Sequence, residues 1–133
     1  MTKAQIGDSK TFEITVTQDM IQKYAEVTGD FNPIHVDEAY AKGTKFGKCI
    51  AHGMLIGGFF SRALVDTFGE GIYLGQDMKF VHPVFVGDTI IIQLTLTGLR
   101  KEKIGTVETL AKNKSTGELC VKGQAIIMMS PPV

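Results

Sequence analysis

Hydrophobic and polar residues follow two different periods along this chain, and these periods predict its secondary structure. Phe12, Ile14 and Val16 alternate with polar residues, which predicts a half-buried strand. A helix is predicted to follow, because Thr17 is a good N-cap residue and because the next apolar residues recur at helical spacing: Met20, Ile21, Tyr24 and Ala25.

The residues after this helix are predicted to form a loop and a short second helix. Gly29 ends the first helix, and the pair Asn32 and Pro33 favours a loop, since a residue before proline avoids the helical conformation. Asp37 is suited to cap a short helix that Gly43 closes.

The segment Gly53–Phe68 predicts a long helix that is apolar on almost every side. A helix of this kind is expected to be buried all round. Gly57 and Gly58 each cost about 1 kcal/mol of helix stability relative to alanine. Another backbone packed close against the helix would make that cost tolerable.

After Gly71 the pattern predicts four long strands, over the segments 72–80, 90–97, 104–112 and 119–129. In the second of these, apolar residues at alternating positions are expected to share one face: Ile90, Ile92, Leu94 and Leu96. Strands that follow helices indicate an α+β fold with an antiparallel sheet. A sheet curled around the long helix would bury that helix. Because five strands leave two exposed edges, a homodimer that joins two sheets edge to edge is expected.

Composition and charge exclude several classes of protein. The 133 residues fit a single domain over 1–133, and the formal net charge of zero argues against a nucleic-acid partner. No apolar run approaches the ~20 residues of a membrane span, and the N-terminus lacks the apolar stretch of a signal peptide. Cys49 and Cys120 suit neither a metal site nor a disulfide framework, so a reduced, cytoplasmic location is expected.

The most informative segment for chemistry runs from residue 28 to residue 35. Asp30 and His35 lie five residues apart on a loop that Pro33 stiffens, and Asn32 can hold the turn through a hydrogen bond. A carboxylate and an imidazole that face one cavity can hold a water molecule and move protons to and from it. The alternative interpretation is a turn aspartate and a surface histidine.

The start of the long helix carries a second candidate feature. Unpaired N–H groups and a partial positive charge lie at a helix N-terminus, and Gly53 allows a substrate carbonyl to approach closely. Such a place suits an oxyanion hole for a thioester that becomes an enolate. Ser61, two turns on, is a candidate for the same cavity. His52 and His82 are interpreted as a backbone-bonded helix-start residue and a structural residue.

Taken together, these residues resemble the MaoC-like (hydratase 2) family of hot-dog proteins, and in particular the small R-specific enoyl-CoA hydratases. The family pattern is matched by TGDFNPIH at 28–35, AHGM at 51–54 and GQDMKFVHPV at 75–84. The resemblance covers nearly the whole chain. One departure is Lys79, where larger relatives often carry arginine.

The resemblance implies a curved antiparallel sheet around one central helix, a homodimer, and reversible syn hydration of trans-2-enoyl-CoA to (R)-3-hydroxyacyl-CoA. It makes Asp30 and His35 the catalytic pair, Asn32 and Ser61 supporting groups, and the Gly53 N–H the donor to the thioester carbonyl. No metal or redox cofactor is needed, because coenzyme A arrives as part of the acyl-CoA substrate. Its phosphates require positive charge, for which the candidates are Lys42, Lys45, Lys48 and Lys79.

Three other functions are compatible with the same residues. A dehydratase acting on acyl-carrier-protein substrates would use the same pair. A hot-dog thioesterase commonly needs a carboxylate within its central helix, and Asp66 near the helix end is the one the segment offers. A catalytically silent acyl-CoA-binding subunit would need neither Asp30 nor His35.

Overall fold

The computed structural model of the chain describes residues 4–129. Strands and helices follow one another in the order β1 (Ser9–Thr15), α1 (Gln18–Thr28), α2 (Pro33–Val36), α3 (Glu38–Lys42), α4 (Gly53–Phe68), β2 (Ile72–Phe80), β3 (Thr89–Arg100), β4 (Ile104–Asn113) and β5 (Leu119–Met128).

Local signals in the sequence set the boundaries of the short helices. The Thr17 side chain accepts a hydrogen bond from the Met20 N–H, and Gly29 ends α1 in the left-handed conformation with φ 82°. Asp37 caps α3 by accepting from the Tyr40 N–H at 3.0 Å. These predicted caps are confirmed.

The strands form one antiparallel sheet in the order β1-β3-β4-β5-β2. In β3 every second side chain is fully buried, which confirms the predicted alternation; these are Ile90, Ile92, Leu94 and Leu96. Strands β1 and β2 lie at the two edges. The α+β class and the hot-dog arrangement of one sheet around one long helix are confirmed.

Helix α4 packs on the sheet through one face and leaves the other exposed. Its buried residues are Ile56, Phe60, Ala63 and Leu64, all of which belong to the hydrophobic core. Met54 and Val65 are 55% and 56% exposed. The expectation that α4 is buried all round is therefore wrong for a single chain, because one five-stranded sheet covers one side of the helix.

The two central glycines of α4 differ in their surroundings. A Cβ atom on Gly57 would lie 2.7 Å from the Met78 sulfur, so a side chain of β2 takes the space there, and not another backbone as expected. At Gly58 the space is open within 4 Å. Close packing therefore explains Gly57 alone. Across residues 4–129, none of the helices has the length and apolar character that crossing a lipid bilayer takes.

Candidate active site

The segment 28–35 folds into a tight turn and then one turn of helix. Asn32 is the N-cap of α2, and its side-chain oxygen accepts from the Ile34 N–H at 3.4 Å. The His35 N–H donates to the Asn32 carbonyl at 2.9 Å. His35 therefore lies on a helical turn and not on a loop as predicted, because Pro33 at the first helical position starts a helix as readily as it stiffens a loop.

Asp30 lies just before this turn, with its carboxylate exposed. The Asp30 Oδ1 atom accepts from the Asn32 N–H at 3.2 Å, while the Asp30 N–H donates to Thr28 Oγ1 at 3.3 Å. One carboxylate oxygen thus stabilises the turn. The other remains available to a ligand.

His35 is held in a defined tautomer by the chain that enters α4. Its Nδ1 atom lies 2.7 Å from the Ile50 carbonyl oxygen. A carbonyl only accepts, so Nδ1 carries the proton and Nε2 of the neutral ring has a free lone pair. Ile50 itself is fixed by its bridge to Phe85 and by the bond from its N–H to the Ile34 carbonyl at 3.2 Å.

His52 lies directly beneath the pair and is only 2% exposed. Its Nε2 atom lies 3.0 Å from the Asp30 carbonyl oxygen, which confirms the interpretation of a backbone-bonded residue. Its ring stacks on that of His35, with centroids 4.0 Å apart, and contacts Tyr24 at 4.5 Å. Burial is the main cause that lowers the pKa of His52, and the neighbouring His35 adds to it.

The side chains of Asp30, His35 and His52 converge. One carboxylate oxygen and one nitrogen from each ring all lie within 4.8 Å of one another. A water molecule about 2.8 Å from a carboxylate oxygen and from an imidazole nitrogen fits such a separation. The same donor types bind transition metals, so these three residues form a group, among residues 4–129, that could hold a metal ion.

The pair opens into a cavity of about 360 Å³ whose lining includes the start of α4. Gly53 stands at the first position of that helix, where backbone N–H groups lack intrahelical partners. A Cβ atom on Gly53 would lie 2.5 Å from the Phe80 ring, so a larger residue there would displace this ring. The structure thus brings together Asp30, His35 and Gly53 around one cavity.

Two predicted site residues, Ser61 and Lys79, lie outside this cavity. Ser61 is exposed and lines a different cavity with Val65 and Tyr73, because two helical turns carry it about 12 Å along α4 from Gly53. The expectation that Ser61 reaches the same cavity is wrong for a single chain. Lys79 alternates with Phe80 along β2 and faces the opposite side of the sheet, in a recess with Glu108.

The remaining lysine candidates lie nearer to the cavity. The Lys45 ammonium is 5.3 Å from the centre of the Phe46 ring, which lines the cavity, and that of Lys48 is 5.6 Å from the Phe85 ring. Lys42 is exposed at the end of α3. Asp66 pairs with Arg62 at 3.7 Å and lines a small separate cavity beneath β1.

Sequence reasoning missed part of the cavity wall. His82 lines the cavity, with Nδ1 2.9 Å from the Leu119 carbonyl and Nε2 3.3 Å from Glu118. Phe80 also contributes, although it is 55% exposed in the single chain. The pattern predicted the strand over 72–80 that carries Phe80, but it contained no signal for the contact of Phe80 with Gly53.

Comparisons with known proteins agree with this arrangement. Residues 2–118 match the model of the MaoC like domain. The chain is 40% identical over 112 residues to the "(R)-specific enoyl-CoA hydratase" of Aeromonas caviae, covering 82% of this chain and 83% of that protein. It is 33% identical over 125 residues to a mitochondrial 3-hydroxyacyl-[acyl-carrier-protein] dehydratase of Solanum lycopersicum, covering 89% of this chain and 76% of that protein.

A solved structure of the (R)-hydratase from A. caviae involved in PHA biosynthesis superposes with a TM-score of 0.92. That match has 33% sequence identity and covers 98% of this chain and 100% of the other. Family model, sequence identity and structural similarity therefore agree over most of the chain. The protein belongs to the MaoC-like domain family.

Proposed function

We propose that this chain is an (R)-specific enoyl-CoA hydratase, a hydro-lyase that reversibly adds water to trans-2-enoyl-CoA. The observation that carries the proposal is the convergence of Asp30 and His35 on one cavity that also includes the start of α4. The identity to curated (R)-specific enoyl-CoA hydratases supports the same activity.

The mechanism follows from the polarity of the substrate. The thioester carbonyl withdraws electrons from the double bond, so C3 is electrophilic and C2 becomes basic as the enolate forms. The Gly53 N–H, at the positive end of α4, would donate to the carbonyl oxygen as negative charge develops there. One such donor is worth on the order of 10²–10³ in rate in acyl-transfer enzymes.

Asp30 and His35 supply the proton transfers. Asp30 would take a proton from the bound water as its oxygen attacks C3. His35, entering the step as the imidazolium with protons on both ring nitrogens, would deliver the Nε2 proton to C2 on the same face. The proton that Asp30 has taken then passes to His35 Nε2, which restores both groups for the next turnover. Delivery to one face makes the addition syn, and the net change is one water added across the double bond. Asn32 supports the pair by holding the turn between them.

No resident metal or redox cofactor takes part in this scheme, because coenzyme A enters with the substrate. The primary test is therefore an assay of the hydration of C4 to C12 enoyl-CoAs in the presence of EDTA. Hydration is measured as the loss of enoyl-thioester absorbance, and the product is identified by chiral analysis. The (R)-3-hydroxyacyl-CoA product is expected. An (S) product, or no turnover, would refute the proposal.

A second candidate is a 3-hydroxyacyl-[acyl-carrier-protein] dehydratase, which the 33% identity to the Solanum lycopersicum protein favours. The reaction is the same chemistry on a different carrier. Matched enoyl substrates on coenzyme A and on acyl-carrier protein, compared by kcat/KM, would distinguish the two.

A thioesterase is disfavoured because Asp66 lies outside the main cavity. A silent subunit is disfavoured because the acid–base pair is intact and converges.

The phosphates of coenzyme A are expected to bind near Lys45 and Lys48. The double variant Lys45→Glu/Lys48→Glu should raise KM roughly tenfold, which corresponds to about 1.4 kcal/mol, with kcat within twofold of the native value. Lys79→Glu is the control, because Lys79 faces the opposite side of the sheet. An unchanged KM in the double variant would exclude this location.

The exposed apolar surface supports a homodimer that uses the edge at β2. The edge strand β1 is protected by polar and charged exposed residues such as Thr11 and Glu13. The edge strand β2 instead exposes Ile72 and Leu74, at 51% and 50%, and Ile72 lines a recess with Val65 on the exposed face of α4. An edge of this kind favours pairing with a second copy.

Leu74→Lys is expected to dissociate this dimer, because it places a charge in the middle of the apolar edge. Light scattering coupled to size exclusion should give twice 14.5 kDa for the native protein and 14.5 kDa for the variant. Thr11→Lys on the β1 edge should remain dimeric. A monomeric native protein, or dissociation by Thr11→Lys instead, would contradict the assignment of the edge.

The acyl-CoA thioester is thus the proposed partner, alongside a second copy of the chain. The cytoplasm is the proposed compartment. Support comes from Cys49 and Cys120, which are both buried free thiols, as a reducing environment favours. Burial raises the pKa of both thiols, so they are poor nucleophiles.

A further inference from the structure

His52 combines burial, one hydrogen bond and two ring contacts in a way that neither helix capping nor hydrophobic packing explains. Within the part of the chain the structure describes, His52 and Thr109 are the buried polar residues. His52 occupies the N-cap position of α4, yet its side chain makes no capping bond. Its hydrogen bond goes instead to the peptide of Asp30.

The hydrogen bond fixes the protonation of the His52 ring. A carbonyl oxygen only accepts, so Nε2 carries the proton. The other nitrogen, Nδ1, is buried with no hydrogen-bond partner among residues 4–129. A second proton, on Nδ1, would bury an N–H that lacks an acceptor against the ring of His35. The titratable side chains that face this ring are His35, Asp30 and Tyr24.

We infer that His52 is a positioning residue that holds both members of the catalytic pair, with its Nε2–H on the Asp30 peptide and its ring face under His35. This inference rests on the proposed function. Asp30 is exposed and the turn that carries it is short, so the partly buried hydrogen bond from His52 anchors the main chain at that point. The hydrogen bond from His35 Nδ1 to the Ile50 carbonyl holds one atom of the His35 ring, but the ring can still rotate about that bond. The stacked His52 ring limits this rotation.

A neutral His52 ring also allows His35 to take up a proton. His35 gains and loses a proton in the proposed cycle, and a second cation stacked 4.0 Å away would oppose that gain. A neutral ring provides a contact surface without this repulsion. Misplacement of reacting groups by about 1 Å can reduce rate on the order of a hundredfold, which sets the expected effect.

Three variants test the inference in the hydration assay. His52→Ala removes the donor and the ring, and should lower kcat on the order of a hundredfold with KM within about threefold. His52→Gln can place an amide N–H near the position of Nε2, and should recover at least about tenfold of that loss. Thr109→Val is the control, because it removes a partly buried hydrogen bond away from the site, which Thr109 accepts from Gln76 at 2.9 Å. This variant should have a lower melting temperature but an unchanged kcat.

A folded His52→Ala protein with kcat within threefold of native, or a Gln variant no more active than Ala, would overturn the inference. Should the variants fail to fold, nitrogen-15 NMR of the native protein provides the second measurement, since the chain has three histidines. The Nε2–H tautomer is expected for His52, and the Nδ1–H tautomer would overturn the inference. If the native protein fails to hydrate crotonyl-CoA, the proposed function fails, while the tautomer still reports on the hydrogen bond.

Discussion

Replacing Asp30 by asparagine is expected to lower hydration turnover roughly a hundredfold or more while the fold survives. Asparagine has the same shape as aspartate, and its Oδ1 atom can still accept from the Asn32 N–H. The turn therefore keeps its hydrogen bond. What is lost is the negative charge and the basic oxygen that takes the proton from water.

The measurement is crotonyl-CoA hydration at fixed protein concentration, with thermal unfolding followed by circular dichroism. Asp37→Asn is the matched control, because Asp37 caps α3 seven residues on and does not line the cavity. It should keep near-native turnover. Near-normal hydration by the Asp30 variant would show that Asp30 is not the base, even if the fold and the other residues of the site are correct.

The boundaries of most elements could be predicted because they depend on local signals. Thr17 and Asp37 cap helices through their own side chains, and Gly29 ends α1 with a positive φ. Alternation in β3 predicted its buried face, because a strand between two neighbours has one side on the core and one side outward. Such signals lie within a few residues of the feature they determine.

Features that depend on packing between distant elements were predicted less well. Met54 and Val65 are apolar in sequence, but the pattern alone cannot say whether the sheet or a second chain covers them. The separation of Ser61 from the cavity follows from the direction in which α4 leaves it. Phe80 meets Gly53 through a contact between residues 27 positions apart, and nothing local indicates it.

The same distinction applies to the site. The spacing of Asp30 and His35 predicted a shared cavity, and the carboxylate and ring do converge there. The contact with His52 could not be deduced, because it arises where the start of α4 packs beneath the turn. A motif thus identified the candidate reacting groups, while the tertiary structure revealed the residue that holds them.

Replacing His35 by alanine is the second change with a large expected effect. Turnover should fall roughly a hundredfold or more, because the imidazole is the group proposed to deliver the proton to C2. The fold should survive, since His35 is only half-buried and water can reach the Ile50 carbonyl that its Nδ1–H now satisfies. Crotonyl-CoA hydration and thermal unfolding, measured side by side, separate the two effects.

His82→Ala provides the control for this loss. His82 also lines the cavity, but its ring nitrogens lie against the Leu119 carbonyl and the Glu118 carboxylate, so it has no nitrogen free for the substrate. Its removal should leave kcat within about threefold of native. If both alanine variants lost activity equally, the cavity would need histidine for its shape and not for proton transfer. Partial recovery of the His35 variant by added imidazole, with none for His82, would identify the missing function as proton transfer.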